Sequence, residues 1–383
     1  MIKSLRLIYG SLHLIGCALV LLILSGCSAI EVKEEELREI RSNKEYEDLL
    51  KVVPAATPTP TPVPKNEEKS EKAVKKDSPK TKKTKTKKDS SKKVVKKDSP
   101  KTKKTKTKKD NSKKVESKKV IKPKAEKTKV SKRNPEYEDT EGFDGRRPIV
   151  DPYRVGEKIK LEVSYFGVTA GYLTIETLPF KVVNGRKSYH FKISVRSSST
   201  FSMFYSVDDY AETFIDYEKL IPYNYVIRMD ETKKVGENKA LFDWEKGKAY
   251  TWERKIDKKK GRQEKNYEWD LLPYSQNVFS APFYMRSFAL KPKKSLKVMV
   301  GHRGKNLEMT AKVLRREKLK TKVGTFDTVV IKPSFMIDGD FKPVGDIVFW
   351  HTDDDQKLIV RMEAKIKIGT IVGSLESLDR GQK

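Results

Sequence analysis

From Tyr153 onward, apolar and polar residues alternate in short runs. Ile159, Leu161, Val163 and Tyr165 are separated by Lys, Glu and Ser, and Tyr189, Phe191, Ile193 and Val195 by His, Lys and Ser. Tyr223, Tyr225, Ile227 and Met229 repeat the pattern, as do Leu296, Val298 and Val300, then Leu307, Met309, Ala311 and Val313. A period of two, rich in β-branched and aromatic residues, predicts half-buried strands. Asn184-Gly185 between two such runs predicts a two-residue hairpin, and Gly247 and Asp338-Gly339 mark further turns. An Asp-Ile-Val-Phe-Trp run ends at Trp350, and Ile359 to Ile368 reads as a long final strand. Only Ser275–Leu290 offers a helical stripe. The expected fold is all-β: a mostly antiparallel, strongly curved sheet, or a partly open barrel or roll.

The chain before residue 135 follows other rules. Lys3 and Arg6 precede an apolar run from Leu12 to Leu24. That run falls short of the roughly 20 apolar residues a spanning helix needs, and fits an export signal over residues 1–26. Residues 27–53 contain Leu37, Ile40, Tyr46, Leu49 and Leu50, which share part of a helical face. They predict a short amphipathic helix near a membrane, or a marginal helix with no partner. Residues 54–134 form a linker, Pro-rich from Pro54 to Pro64 and then Lys-rich. A 20-residue unit occurs twice there with a period of 21, at 74–93 and 95–114, and differs only between Ser90 and Asn111. Of the net charge of +30, residues 65–134 supply +22, from 31 basic and 9 acidic side chains. So few apolar residues cannot bury a core, and the tract is expected to be a disordered tether before a β-rich domain at 135–383.

Leu24-Ser25-Gly26-Cys27 resembles the lipobox of bacterial lipoproteins. The resemblance implies a lipid on Cys27, which becomes the new N-terminus after cleavage. Ser28 in the sorting position favours the outer membrane, facing the periplasm. Cys17 leaves with the signal, so the mature chain has neither a disulfide nor a free thiol. The β-rich part resembles the exported bacterial domain of unknown function 3108 over about residues 150–376. The resemblance rests on Tyr153-Arg-Val-Gly-Glu157-Lys, Tyr165-Phe-Gly, Ala170-Gly171, Asp209 to Asp216, Asn277 to Arg286, Gly324-Thr-Phe326, Phe349-Trp350 with Asp354, and Gly369 with Leu375. Asn277 departs from the pattern, which usually has Asp there. The resemblance implies compartment and a β-rich fold, and no reaction.

Candidate chemistry is sparse. His190, His302 and His351 have no metal-binding spacing, so no metal and no cofactor are expected. His190 reads as a solvent-facing strand position, Asp353-Asp354-Asp355 as a solvated turn, and Gly301 to Gly304 as a hairpin turn or anion loop. Tyr284, Arg286 and Trp350 are the candidates for ligand contact, since Arg can stack on aromatic rings or hold a carboxylate or phosphate.

Three functions follow. The first is a non-enzymatic envelope module that binds an apolar or amphiphilic ligand in its concave sheet, or binds an envelope partner. The second is a structural tether whose Lys tract contacts anionic wall polymer or lipid headgroups, at about 1 kcal/mol per Lys. The third, least favoured, is a hydrolase using Asp209 and Glu212, which a strand would place on opposite faces. The tract also reads as a solvated spacer. Export disfavours nucleic acid as its partner.

Overall fold

A computed structural model describes residues 30, 32–55 and 140–382, apart from 338, 339, 344 and 345. The expected signal peptide, Cys27, Ser28, nearly all of the linker and the Asp338-Gly339 turn lie outside the described residues. Two short helices come first, α1 (Glu34–Arg41) and α2 (Lys44–Leu49), then β1 (Val52–Pro54). The chain resumes with a small hairpin, β2 (Phe143–Asp144) and β3 (Arg147–Pro148). The strands β4 (Glu157–Tyr165), β5 (Val168–Val183) and β6 (Arg186–Ser197) follow, then the one-turn α3 (Ser199–Ser202). Next are β7 (Asp208–Asp216), β8 (Asn224–Glu231), β9 (Lys234–Asp243), β10 (Lys248–Asp257) and β11 (Gly261–Asp270). A single helix, α4 (Ser280–Met285), precedes β12 (Ser295–His302), β13 (Lys305–Thr321) and β14 (Gly324–Ile337). The last strands are β15 (Asp340–Pro343), β16 (Ile347–Thr352), β17 (Ile359–Lys365) and β18 (Thr370–Arg380).

Sixteen strands form one antiparallel sheet, as predicted. Its main path runs β11-β10-β9-β8-β7-β6-β5-β4-β18-β17-β16-β14-β13-β12, with β1 on β5 and β15 on β14. Asn184 and Gly185 both have positive φ, 47° and 78°, the signature of a tight hairpin turn with left-handed residues at both corners. The expected final strand from Ile359 to Ile368 is instead broken by a turn at 366–369, and β18 continues to Arg380. Gly369, at φ 85°, supplies the left-handed corner that an apolar-run reading overlooks.

The sheet curls until its ends approach through side chains rather than a continuous ladder. A Cβ on Gly301 of β12 would lie 3.2 Å from Phe242 of β9 and 3.3 Å from Trp269 Nε1 of β11, so a larger residue would press on both rings and glycine suits this close approach. Asn306 Nδ2 donates to the Asp270 carbonyl at 2.8 Å across the same gap. Gln276 bridges Val300, its N–H bound to Met299 O and its O to Gly301 N.

The concave side is the main core. Ile159, Leu161 and Val163 of β4 face Leu173 and Ile175 of β5, and Val329 and Ile331 of β14 join the same core. Phe283, Tyr284, Met285 and Phe288 enter from α4 and its C-terminal end. On β9, Ala240 and Phe242 face inward, while Leu241 joins Tyr46, Leu50, Tyr223 and Trp252 on the outer face. Residues 32–55 therefore cover the outside of β8–β10, and do not form a helix without a partner. Tyr46 is 7 % exposed and its hydroxyl accepts from Asn224 Nδ2 at 2.8 Å. Asn43 caps α2 by accepting from Tyr46 N. Lys239 donates to Arg41 O, Arg254 to Ser42 O, and Arg262 pairs with Glu39. β1 then pairs with the far end of β5, Val52 opposite Val183.

Candidate functional site: the plugged interior

The segment after β11 turns into the curled sheet because its polar residues find partners there. Gln276 Nε2 donates to Leu220 O. Asn277 is wholly buried; its Oδ1 accepts from Phe279 N and Ser280 N, starting α4, while its Nδ2 donates to Asn224 O at 2.9 Å and Thr213 Oγ1 at 3.1 Å. An aspartate could accept the two amides but could not donate to the Asn224 carbonyl, so the amide suits this interior.

At the other end of α4, Arg286 is 2 % exposed and meets the wholly buried side chain of Glu157 in a two-pronged pair, both contacts 2.7 Å. Its remaining donors reach Gln356 O at 2.7 Å and Pro152 O at 2.8 Å. Burial draws the guanidinium's pKa down, but Glu157 outweighs this and holds it above its ordinary value. Such a pair needs good geometry and further hydrogen bonds to offset its desolvation, and both are present. Tyr153 stacks at 5.3 Å and donates from its hydroxyl to Phe283 O. Phe283 in turn stacks on Phe191 at 4.0 Å. Tyr284 is buried, and its hydroxyl accepts from Arg146 at 3.2 Å.

The three candidates do not form one cluster: Tyr284 and Arg286 are both buried but take different partners, Arg146 and Glu157, and Trp350 bonds a third residue, Glu317. Trp350 lies opposite Arg361 in the ladder and shares its face, while its neighbour Phe349 lies opposite Met362 on the core face. Trp350 Nε1 donates to Glu317 at 2.5 Å. Sequence reasoning missed Glu157 as the counter-ion of Arg286, although both residues sit in the motifs that carry the family resemblance. A small cavity beside Arg286, bounded by Ile159, Ile175, Ile193, Phe283 and Ile359, has a volume of about 30 Å³, room for one or two waters.

The remaining polar candidates are structural. His190 is not solvent-facing: it is 8 % exposed, packs on Phe214 at 4.7 Å and lies 3.8 Å from Glu212, because the outer face of this strand is covered too. His302 and His351 are buried, which pulls their pKa values down to about 3 and about 4, so both are neutral at neutral pH. Asp354 caps the 352–357 turn, accepting from Thr352 Oγ1, Gln356 N and Lys357 N. Among the described residues no cluster of three His, Cys, Asp or Glu could hold a metal.

Asp209 and Glu212 point apart. Glu212 pairs with Lys192 at 3.1 Å, whereas Asp209 lies beside Glu231. Burial, then the Glu231 charge, pushes the Asp209 carboxyl up to about 7. Tyr205 donates to Glu231 Oε2 at 2.5 Å, and Lys234 pairs with its other oxygen.

Three solved structures are similar to this chain at a low level. They are a β-barrel-like protein of domain of unknown function DUF1849 from Brucella abortus, a proposed lipoprotein from Parabacteroides distasonis, and a proposed exported protein with YmcC-like fold from Bacteroides fragilis. The first is 13 % identical, covers 59 % of this chain and 97 % of its own, and has a TM-score of 0.38. The second is 11 % identical, covers 60 % and 99 %, and has a TM-score of 0.29. For the third the values are 12 %, 60 %, 98 % and 0.28. No curated protein matches the chain. Residues 160–376 match the family described as Protein of unknown function (DUF3108), a stretch that includes most of the sheet and all of α4, and the chain belongs to that family.

Proposed function

We propose that this protein is a non-catalytic lipoprotein of the cell envelope, anchored through Cys27, whose folded β-domain presents the Lys-rich tract to anionic wall polymer or lipid headgroups. One observation carries the reading. Residues 32–55, before the tract, and residues 140–382, after it, build the same fold: β1 pairs with β5, and Tyr46 sits in a core with Tyr223 and Trp252. The described segments on either side of the tract thus belong to one sheet. A net charge of +22 on the tract favours an anionic surface, by roughly 1 kcal/mol per Lys near it. The aromatic plug of α4 in the concave sheet favours this platform over a carrier of amphiphiles.

Full-length protein purified from a bacterial envelope tests the reading. Intact mass is expected to show cleavage before Cys27 and added acyl chains. Binding to isolated wall material or anionic vesicles is expected to weaken with salt and with deletion of residues 65–129. An unacylated chain would overturn the anchor. Binding that ignores both salt and the deletion would overturn the role of the tract.

A further inference from the structure

The turns at one edge of the sheet form a continuous rim. The β4–β5 turn adjoins the β17–β18 turn, since Tyr165 is opposite both Val168 and Ile371. The β6–β7 loop comes next, with Ser198 Oγ donating to Thr169 O. It touches the β8–β9 turn, where Ser206 N donates to Thr232 Oγ1 and Thr232 N to Ser206 O. The β10–β11 turn follows, Lys258 N donating to Lys233 O.

This rim exposes large apolar side chains. Phe166, Val168, Met203, Phe204 and Ile368 are 63–75 % exposed, and among the described large apolar residues only Ile149 is comparably open. Exposed lysines at 258, 259, 260, 365 and 367 lie among them. Phe166 is costly to keep there. It occupies the first corner of a two-residue turn at φ 48°, with Gly167 at 77°, a conformation that suits Asn or Asp and penalises a bulky residue. Strain in an exposed aromatic points to a use outside the fold.

The chain itself says what faces the rim. Ile30 N donates to Thr232 O at 2.8 Å. Cys27 is three residues upstream of Ile30, a reach of about 11 Å between their Cα atoms at most. We infer that the rim is a membrane-docking edge, with Phe166, Phe204 and their neighbours entering the interface of the leaflet that holds the Cys27 lipid and the lysines meeting anionic headgroups. This inference rests on the anchor proposed above.

The test uses full-length acylated protein in vesicles of phosphatidylethanolamine and phosphatidylglycerol with brominated chains. Phe166→Trp and Phe204→Trp each add a reporter on the rim, and Ile149→Trp adds one away from it. Rim fluorescence is expected to fall about twofold relative to plain vesicles, with Ile149→Trp unchanged. Rim reporters quenched no more than Ile149→Trp would overturn the inference. Quenching in a chain whose mass shows no acyl group would retain the rim and refute the anchor.

Discussion

Phe283 and Phe166 show two uses of one side chain. Phe283 is 3 % exposed, stacked on Phe191 and held beside a satisfied ion pair. Phe166 is 69 % exposed on a turn whose backbone disfavours it. The interior spends its aromatic surface on filling the curled sheet, where each buried ring contributes roughly 1.5–3 kcal/mol. The rim leaves most of its comparable surface in water, where it adds little to the fold. Stability and any surface function should therefore separate cleanly by mutation.

The largest effect is expected at Arg286. Arg286→Met leaves Glu157 charged, wholly buried and without its partner, which costs about 3–5 kcal/mol. Urea unfolding would read this, and Glu157→Gln combined with Arg286→Met should recover much of the loss. A loss under about 1 kcal/mol would mean that water reaches the pair and the interior is not sealed.

Tyr46 comes next, and it tests whether the N-terminal clasp belongs to the fold. Tyr46→Ala removes a ring packed against Trp252 at 6.2 Å and strands the Asn224 amide, at a cost of about 3 kcal/mol. Hydrogen exchange over residues 32–55 should accelerate well beyond that in β4 and β5. Equal protection of residues 32–55 in Tyr46→Ala and in the parent protein would detach the clasp from the sheet.

Much of the sheet was legible because strand period and turn chemistry are local. Asn184-Gly185 closes its hairpin, and β4, β6, β8, β12 and β13 fall where the alternation predicts. What failed was long-range. The amphipathic face of 31–53 was visible, but its partner is the outer face of β8–β10, nearly 200 residues away. Second coverage of that outer face also explains buried His190, which strict alternation assigns to solvent. Arg286 was legible as a notable residue; Glu157 was not, because nothing local couples positions 129 residues apart. Trp350 was grouped with Arg286 by residue type alone, and the ladder register sets it on the other face.

The Asp209–Glu231 pair sits just behind the rim and yields a smaller, pH-dependent effect. The fold raises the pKa of Asp209 and so favours its protonated form. That contribution is fully present below about pH 4, the unfolded pKa, and is lost as pH rises through about 7. Asparagine mimics the protonated acid and cannot ionise. Asp209→Asn should therefore gain on the parent protein by about 1–3 kcal/mol between about pH 5 and pH 8, measured by urea unfolding at each pH. A constant difference would show that Asp209 does not titrate in this range.

Phe166→Asn should have the least effect on stability and is the most pointed test of the contrast. Asn fits a left-handed corner better than Phe, while the lost contacts with Tyr165 at 4.4 Å and with Gly369 are half open to water. The two terms nearly cancel, leaving a change within about 1 kcal/mol in either direction. Phe283→Asn, by comparison, should unfold the domain. If Phe166→Asn is neutral in urea yet weakens association of the acylated protein with anionic vesicles, the rim's apolar surface serves the membrane and not the fold. If it destabilises by several kcal/mol, Phe166 is a core residue that happens to reach the surface, and the division between interior and rim fails at its sharpest point.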